Sequence, residues 1–358
     1  MRQLDESVAR SVAARALGVD PATLERMPGG ASTRVYLRAA RGDGATSAAA
    51  PGRRSVVLMF VPDAKPDEVT SGAVRDRWPF LEVRDLLAGR GVQVPEIVGE
   101  HCDEGFIVLE DLGDETLAVF LAREPEKKEA IYRRAVRDLA LAQTALATLP
   151  EESVVATRAF DEGLLRWEID HYREWALEAR GVTLPEADRA IWDGVAERLA
   201  RRVAAMPRTF VHRDYQSRNL MVKRVPQRPE GDEHELVWID FQDALLGPRV
   251  YDLVALLGDS YQTFDRAFIE ARLDDYAGAR GLDAERAVLG REFDLVTVQR
   301  KLKDAGRFVF IDRVKGNPDF LKFVEPTIEK VRSALARLED DEDMRALEGV
   351  LSRAHAWR

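Results

Sequence analysis

The spacing of apolar positions changes along the chain. Val8, Val12, Ala13 and Ala16 recur at helical intervals over residues 5–17, and Gly18 stands where that helix would stop. Residues 29–33 then read as a tight turn feeding a strand over residues 34–38. Residues 39–53 (AARGDGATSAAAPGR) are small and aperiodic and predict a mobile hairpin loop, a passive insertion. Ser55 to Phe60 (SVVLMF) is a continuous apolar run, the mark of a buried strand. Pro79 in a first turn, apolar Leu81, Leu86 and Leu87, and Gly91 as terminator predict a helix over residues 79–90. Two further strands are expected over 93–98 and 105–110. The stretch Glu110-Asp111-Leu112-Gly113-Asp114 then interrupts the pattern and reads as a hinge.

Beyond the hinge the period becomes helical. Residues 130–147 carry Ile131, Val136, Leu139 and Leu146 on one face; residues 161–180 open on a capping Asp161 and stop before Gly181; residues 186–205 form a third helix. Helices dominate again from Arg249. Between them lies a strand-rich island over residues 209–243. This order predicts an α+β protein of two lobes: a small β-rich lobe over 1–112, and a larger helical lobe over 113–358 that carries an inserted β-hairpin. Small ligands bind in clefts of this kind between lobes.

Composition narrows the function classes. The 358 residues can bury a substantial core without disulfides or structural metal. With 53 Lys and Arg against 63 Asp and Glu, the net charge of −10 argues against non-specific nucleic-acid binding. A single cysteine, Cys102, rules out an intrachain disulfide and suits a reducing, cytoplasmic compartment. No run of about 18 apolar residues predicts a membrane span. The histidines lack zinc-site spacing. The expected partner is therefore a small-molecule acceptor; the pattern leaves the oligomeric state open.

The island holds the candidate chemistry. It begins Phe210-Val211-His212-Arg213-Asp214-Tyr215-Gln216-Ser217-Arg218-Asn219-Leu220-Met221-Val222 and ends Val237-Trp238-Ile239-Asp240-Phe241-Gln242-Asp243. An H-R-D, an Asn five residues after its Asp, and two apolar strands, the second leading into Asp-Phe, make a phosphotransferase pattern. Phosphoryl transfer from ATP concentrates negative charge, and Mg²⁺ neutralises it through oxygen ligands. If residues 220–223 pair with 236–239, the amide oxygen of Asn219 and the carboxylate of Asp240 meet at one end of the hairpin as metal ligands. Asp214 then faces the acceptor hydroxyl, orients it and accepts its proton late in transfer. His212 and Asp252 read as structural, Asp252 starting a buried helix that braces this loop.

These segments, with Gly247-Pro248-Arg249-Val250-Tyr251-Asp252-Leu253, resemble the aminoglycoside phosphotransferase/choline kinase-like superfamily. Val57-Leu58-Met59, Val211-His212-Arg213-Asp214-Tyr215, Ser217-Arg218-Asn219-Leu220-Met221, Ile239-Asp240-Phe241-Gln242-Asp243-Ala244 and Gln299-Arg300-Lys301-Leu302-Lys303 are similar, more narrowly, to the anomeric N-acetylmuramate/N-acetylglucosamine kinases of bacterial cell-wall recycling. The resemblance implies a bilobal protein-kinase-like fold, ATP with Mg²⁺, and transfer of the γ-phosphoryl group to the anomeric hydroxyl of a free amino sugar. It also implies that the helix over 161–180 walls the acceptor pocket, with Glu168 and then Asp243 as candidates for sugar hydroxyls. Arg300 and Lys303 are candidates for a lactyl carboxylate or phosphate charge. Trp167, Tyr172 and Trp175, at helical spacing, read as core before they read as stacking platforms.

One departure stands out. Kinase-like folds place a phosphate-binding lysine on the third strand, paired with a helix glutamate. Here that position looks like Met59, and Glu82 loses its partner and reads as a solvated charge. The narrower sugar-kinase group resembles this chain in lacking the lysine. Ser32, Thr33, Arg34 and the backbone of the turn before them are the candidates to cover the phosphates in its place. Backbone groups between Glu110 and Leu112 would read the adenine edge. Two alternatives stay open: an aminoglycoside, choline or homoserine-type kinase, disfavoured by the mixed charge of residues 161–180, and a nucleotide-binding pseudokinase, favoured by the missing lysine and opposed by Asp214, Asn219 and Asp240.

Overall fold

The computed structural model describes residues 2–28, 33–42, 53–62, 77–225 and 233–354. The N-terminal part is one antiparallel sheet of five strands in the order β1-β2-β3-β5-β4: β1 Thr23–Arg26, β2 Val35–Ala40, β3 Ser55–Phe60, β4 Ile97–His101 and β5 Phe106–Glu110. Helix α1, Glu6–Leu17, is capped by Asp5, which accepts from the Ser7 and Val8 amides, and ends at Gly18 with φ 72°. Strand alternation divides the sheet between two cores. Val56, Leu58 and Phe60 of β3 pack with α1, whereas Val57 and Met59 face α2, Pro79–Ala88, and the main core of the molecule.

Differences from the expected elements have local causes. β1 escaped notice because Thr-Leu-Glu-Arg is a mostly exposed edge strand with one apolar residue. β2 runs on to Ala40, two residues into the expected loop; residues 43–52 of that loop, and residues 29–32 of the expected turn, lie outside the described residues. β4 starts at Ile97 and not at Gln93, since Pro95 has no N–H for a ladder. The Gln93 carbonyl instead accepts from the Trp238 amide at 2.8 Å, across to the hairpin of the large lobe. Glu82 is not a solvated charge: its carboxylate takes the Val154 amide at 2.5 Å and ties α2 to the large lobe.

The larger part is helical: α3 Leu117–Arg123, α4 Lys128–Ala145, α5 Glu162–His171, α6 Glu186–Ala204, α7 Tyr251–Leu257, α8 Arg266–Arg280, α9 Arg286–Lys315, α10 Val324–Arg337 and α11 Glu342–Arg353. Two short antiparallel pairs lie among them. β6 Arg208–Val211 pairs with β9 Leu245–Pro248, a strand the sequence pattern did not signal. β7 Leu220–Arg224 pairs with β8 His234–Trp238. The expected helix over 161–180 is broken, because α5 passes at Tyr172–Leu177 into a π-helical turn and then a 3-10 turn over Glu178–Arg180. π-turns re-aim the side chains around them. Here Gly306 of α9 packs directly on the backbone of His171 and Tyr172, where any Cβ would overlap the His171 carbonyl. α9 is buried nearly all round and forms the spine of this lobe.

Between the two parts, Arg38 of β2 holds the segment expected to be a hinge. Its guanidinium meets Asp111 at 2.9 Å and Asp114 at 2.9 Å, and Gly113 between them adopts φ 77°.

Candidate active site

Pairing of Leu220 with Trp238 sets the register of β7 and β8, and the Ile239 amide donates to the Asn219 carbonyl at 3.0 Å. Asn219 and Asp240 therefore flank the same end of the hairpin. The Asn219 Nδ2 donates to the Asp214 carbonyl at 2.9 Å, which leaves its Oδ1 as the free acceptor. Asn219, Asp214 and Asp240 line one cavity of about 640 Å³. The side chains of Asp214 and Asp240 are 38% and 42% exposed, so a ligand in the cavity can reach both.

Two non-glycine residues among those described have positive φ, Arg213 (79°) and Asp240 (63°), one beside Asp214 and one at the hairpin end. Such backbone costs about 1–3 kcal/mol and persists where surroundings over-determine it. For Arg213 they do. Asp252, at the start of α7, accepts from the His212 amide at 2.6 Å and the Arg213 amide at 3.0 Å. Arg300 of α9 donates to the Arg213 carbonyl at 2.7 Å. Downstream, the Ser217 amide and hydroxyl both donate to buried Asp259. The Asp240 turn is held by Gln242, whose Nε2 reaches Asp240 Oδ1 at 3.1 Å and Asp243 Oδ2 at 3.0 Å, and by Arg158, which donates to the Gln242 carbonyl.

The electrostatics separate the two half-buried carboxylates. Burial pushes Asp214 up, but Arg300 (Nη2 to Oδ1, 3.2 Å), Lys303, Arg213 and His212 together outweigh it and hold the carboxyl below its ordinary value. Asp214 is thus a carboxylate at neutral pH. Asp240 is raised, first by burial and then by the negative charge of Asp214, with Arg34 opposing. A carboxylate raised by a like-charged neighbour gains from any cation placed beside it. Burial lowers His212 to about 4 and raises Asp252 to about 7. His212 is therefore a neutral ring whose Nδ1 accepts from the Asp214 amide at 3.3 Å.

Among the sequence candidates, Asp214, Asn219, Asp240, Thr33, Arg34, Asp243, Arg300 and Lys303 all line this cavity. Ser32 lies outside the described residues. Arg34 reaches Asp240 Oδ1 at 3.5 Å, while Met59, at the position of the missing lysine, is fully buried. Glu110 and Leu112 do not line the cavity. The Glu110 carboxylate accepts from the Glu96 amide and faces Lys223. Glu168 is a correction. It has no exposed surface and lies beneath the cavity floor, where Gln299 donates to it at 2.8 Å and Arg213 sits 3.7 Å away. It cannot meet a sugar from there. Arg300 is 2% exposed and engaged with Arg213 and Asp214, so it positions Asp214 and is not open to a carboxylate ligand.

Sequence reasoning passed over other lining residues. Trp167 is no core aromatic: it is 45% exposed at the cavity, whereas Tyr172 is buried. Arg213, Arg218, Gln242, Tyr261, Arg307 and Lys315 also line it. Arg213, Arg218 and Gln242 stood inside the quoted motifs. The others come from distant elements and carried no local signal.

The chain is 33% identical over 325 residues to the N-acetylmuramate/N-acetylglucosamine kinase of Pseudomonas aeruginosa, covering 89% of this chain and 86% of that one. It is 33% identical over 288 residues to the enzyme of the same name from Neisseria meningitidis, covering 78% and 75%. Among solved structures, choline kinase from Cryptosporidium parvum superposes with a TM-score of 0.60 at 9% identity, over 97% of this chain and 100% of that one. The GDP complex of aminoglycoside 2'-phosphotransferase-IIIa does so with a TM-score of 0.58 at 14% identity, over 93% and 100%, which fixes the fold as bilobal and kinase-like. The model of the phosphotransferase enzyme family matches residues 23–288, and the chain, a phosphotransferase, belongs to that family.

Proposed function

We propose that the protein uses ATP and Mg²⁺ to phosphorylate the anomeric hydroxyl of a free N-acetylated amino sugar, N-acetylmuramate or N-acetylglucosamine. The observation that carries this reading is the ionised Asp214 at a cavity wall, beside a pair of hard oxygen donors on Asn219 and Asp240. Those donors fit Mg²⁺, which takes few protein ligands and completes its shell with water and phosphate oxygens. When bound, Mg·ATP supplies the γ-phosphoryl group. Asp214 orients the acceptor hydroxyl toward it and takes up the proton that the hydroxyl loses. Arg34, 3.5 Å from Asp240, brings to the phosphate end of the cleft the cation that Met59 does not. Glu110 to Leu112, held by Arg38, remain the candidate adenine-reading segment.

The acceptor class follows from the charge of the wall. Among the described residues the cavity is lined by seven Arg and Lys side chains and four Asp. In a chain of net charge −10 this local excess of cations suits a neutral or anionic acceptor and disfavours choline or an aminoglycoside. An ADP-release assay over N-acetylmuramate, N-acetylglucosamine, choline, homoserine and kanamycin tests the reading. Turnover is expected with the amino sugars. Turnover with the cationic acceptors alone would overturn the sugar assignment, and ATP binding without turnover of any acceptor would favour the pseudokinase. Arg34→Ala is expected to raise the KM for ATP about tenfold and that for the sugar far less; the reverse pattern would remove Arg34 from the phosphate end.

A further inference from the structure

One cation of the catalytic loop has no part in the chemistry above. Arg218 lies between Ser217, tied to Asp259, and Asn219, tied to the Asp214 carbonyl, so its backbone is fixed on both sides. Its side chain is exposed and lines the cavity. The guanidinium carbon stands over the Tyr261 ring, 3.6 Å from the centroid, and 5.7 Å from that of Phe323. Tyr261 packs edge-on against Phe323 at 4.7 Å. The platform beneath Arg218 is itself anchored, because Asp259 accepts from the Tyr261 amide and Lys330 donates to the Asp259 and Gln262 carbonyls on either side.

Other cations of the floor are committed. Arg300 serves Arg213 and Asp214, and Lys303 faces Asp304 at 3.3 Å. Arg218 forms no ion pair among the described residues, in a chain with 63 Asp and Glu. An arginine laid on an aromatic ring keeps its charge and has lost part of its rotamer freedom in advance. The N–H groups at its edge match a planar anion in two-point fashion. A ring-mounted guanidinium facing a cavity of this charge is built to receive a carboxylate.

We propose that Arg218, mounted on Tyr261, is the anion-receiving subsite of the acceptor pocket. It grips a carboxylate-bearing substituent of the sugar, and so sets how strongly an acidic sugar is preferred over its neutral counterpart. This rests on the amino-sugar reading above. The alternative task for such a residue, neutralising the transferred phosphoryl group, makes the opposite demand: every acceptor would suffer alike on its removal.

The full-length protein and its Arg218→Gln, Arg218→Lys and Tyr261→Leu variants separate the two. The readouts are kcat/KM for N-acetylmuramate and N-acetylglucosamine, and calorimetric binding of N-acetylmuramate and its methyl ester. In Arg218→Gln the acid-to-neutral ratio of kcat/KM is expected to fall at least tenfold, in Tyr261→Leu about threefold, with partial recovery in Arg218→Lys. Wild-type protein is expected to bind the acid more tightly than the ester, and Arg218→Gln is expected to lose that preference. Equal losses for both sugars, or an unchanged ratio, would overturn the subsite. Equal wild-type affinity for acid and ester would overturn the subsite alone, while no binding of either sugar form would overturn the acceptor reading together with it.

Discussion

The catalytic loop and the acceptor wall share one cavity and are built in opposite ways. From His212 to Asn219 the amides of His212, Arg213, Asp214, Gln216, Ser217 and Asn219 are tied within the loop or to the two aspartates Asp252 and Asp259, near either end of the α7 segment, and Arg300 holds the Arg213 carbonyl. The proposed acceptor wall instead joins Trp167 on α5 to Lys303, Arg307 and Lys315 on α9, elements more than 100 residues apart whose backbones come into contact at Gly306. The first region starts from a short local motif, pinned by Asp252, Asp259 and Arg300, and on the proposed reading serves any acceptor. The second is specified by long-range packing and, on the proposed reading, serves one. Perturbing the loop should therefore depress turnover with every acceptor, and perturbing the wall should change which acceptor is used.

The largest expected effect is that of Asp252→Ala. It strips two buried amides of their only carboxylate and releases the positive-φ backbone at Arg213. A loss of about 2–4 kcal/mol in unfolding free energy is expected, with kcat lowered for all acceptors. A selective loss for one sugar in steady-state assays would contradict the contrast.

His212 gives the pH counterpart. Its folded value, about 4, lies below its ordinary 6.5, so its contribution to stability is complete above pH 6.5 and is lost as pH falls toward 4. Asp252 works the other way: raised to about 7, it costs most stability at and above that pH. Comparing wild type with His212→Asn cancels the aspartate. Urea titrations should show the wild-type advantage growing by up to about 3 kcal/mol between pH 4 and pH 7. An advantage that does not vary with pH would remove His212 as a neutral brace.

Gly306→Ala should act on the other region. A methyl group there meets the His171 carbonyl, and α9 must move off the π-turn. Destabilisation of about 1–3 kcal/mol is expected, with the sugar KM raised severalfold and the ATP KM little changed. Equal shifts in both constants would show that the wall and the nucleotide end are not separable.

The same contrast explains what the sequence made legible. Asp214, Asn219 and Asp240 were readable because their geometry follows from a short loop and a hairpin register, both local properties. α1 with its stop at Gly18, the run of β3 and the bracing role of Asp252 were readable for the same reason. Glu168 was misread because a polar residue on a mixed helix can turn either way. It faces inward, since Arg213 and Gln299 need an acceptor beneath the floor. Trp167 was misread in the other direction, its exposure depending on where α9 lies. Arg300 sits on a helix buried nearly all round, where charge does not mark the solvent face. No pattern of period 2 or 3.6 encodes these outcomes.

The central claim is that Asp214 is the proton acceptor of a magnesium-dependent phosphoryl transfer onto a free amino sugar. Phosphorus NMR of reactions with ATP, Mg²⁺ and N-acetylglucosamine or N-acetylmuramate, run with wild-type protein and with Asp214→Asn, tests it most directly. The account predicts an anomeric sugar phosphate from the wild type, abolished by chelation and slowed about 10²–10⁴-fold in Asp214→Asn. Product formation by Asp214→Asn at the wild-type rate, or phosphate on a different hydroxyl, would contradict it.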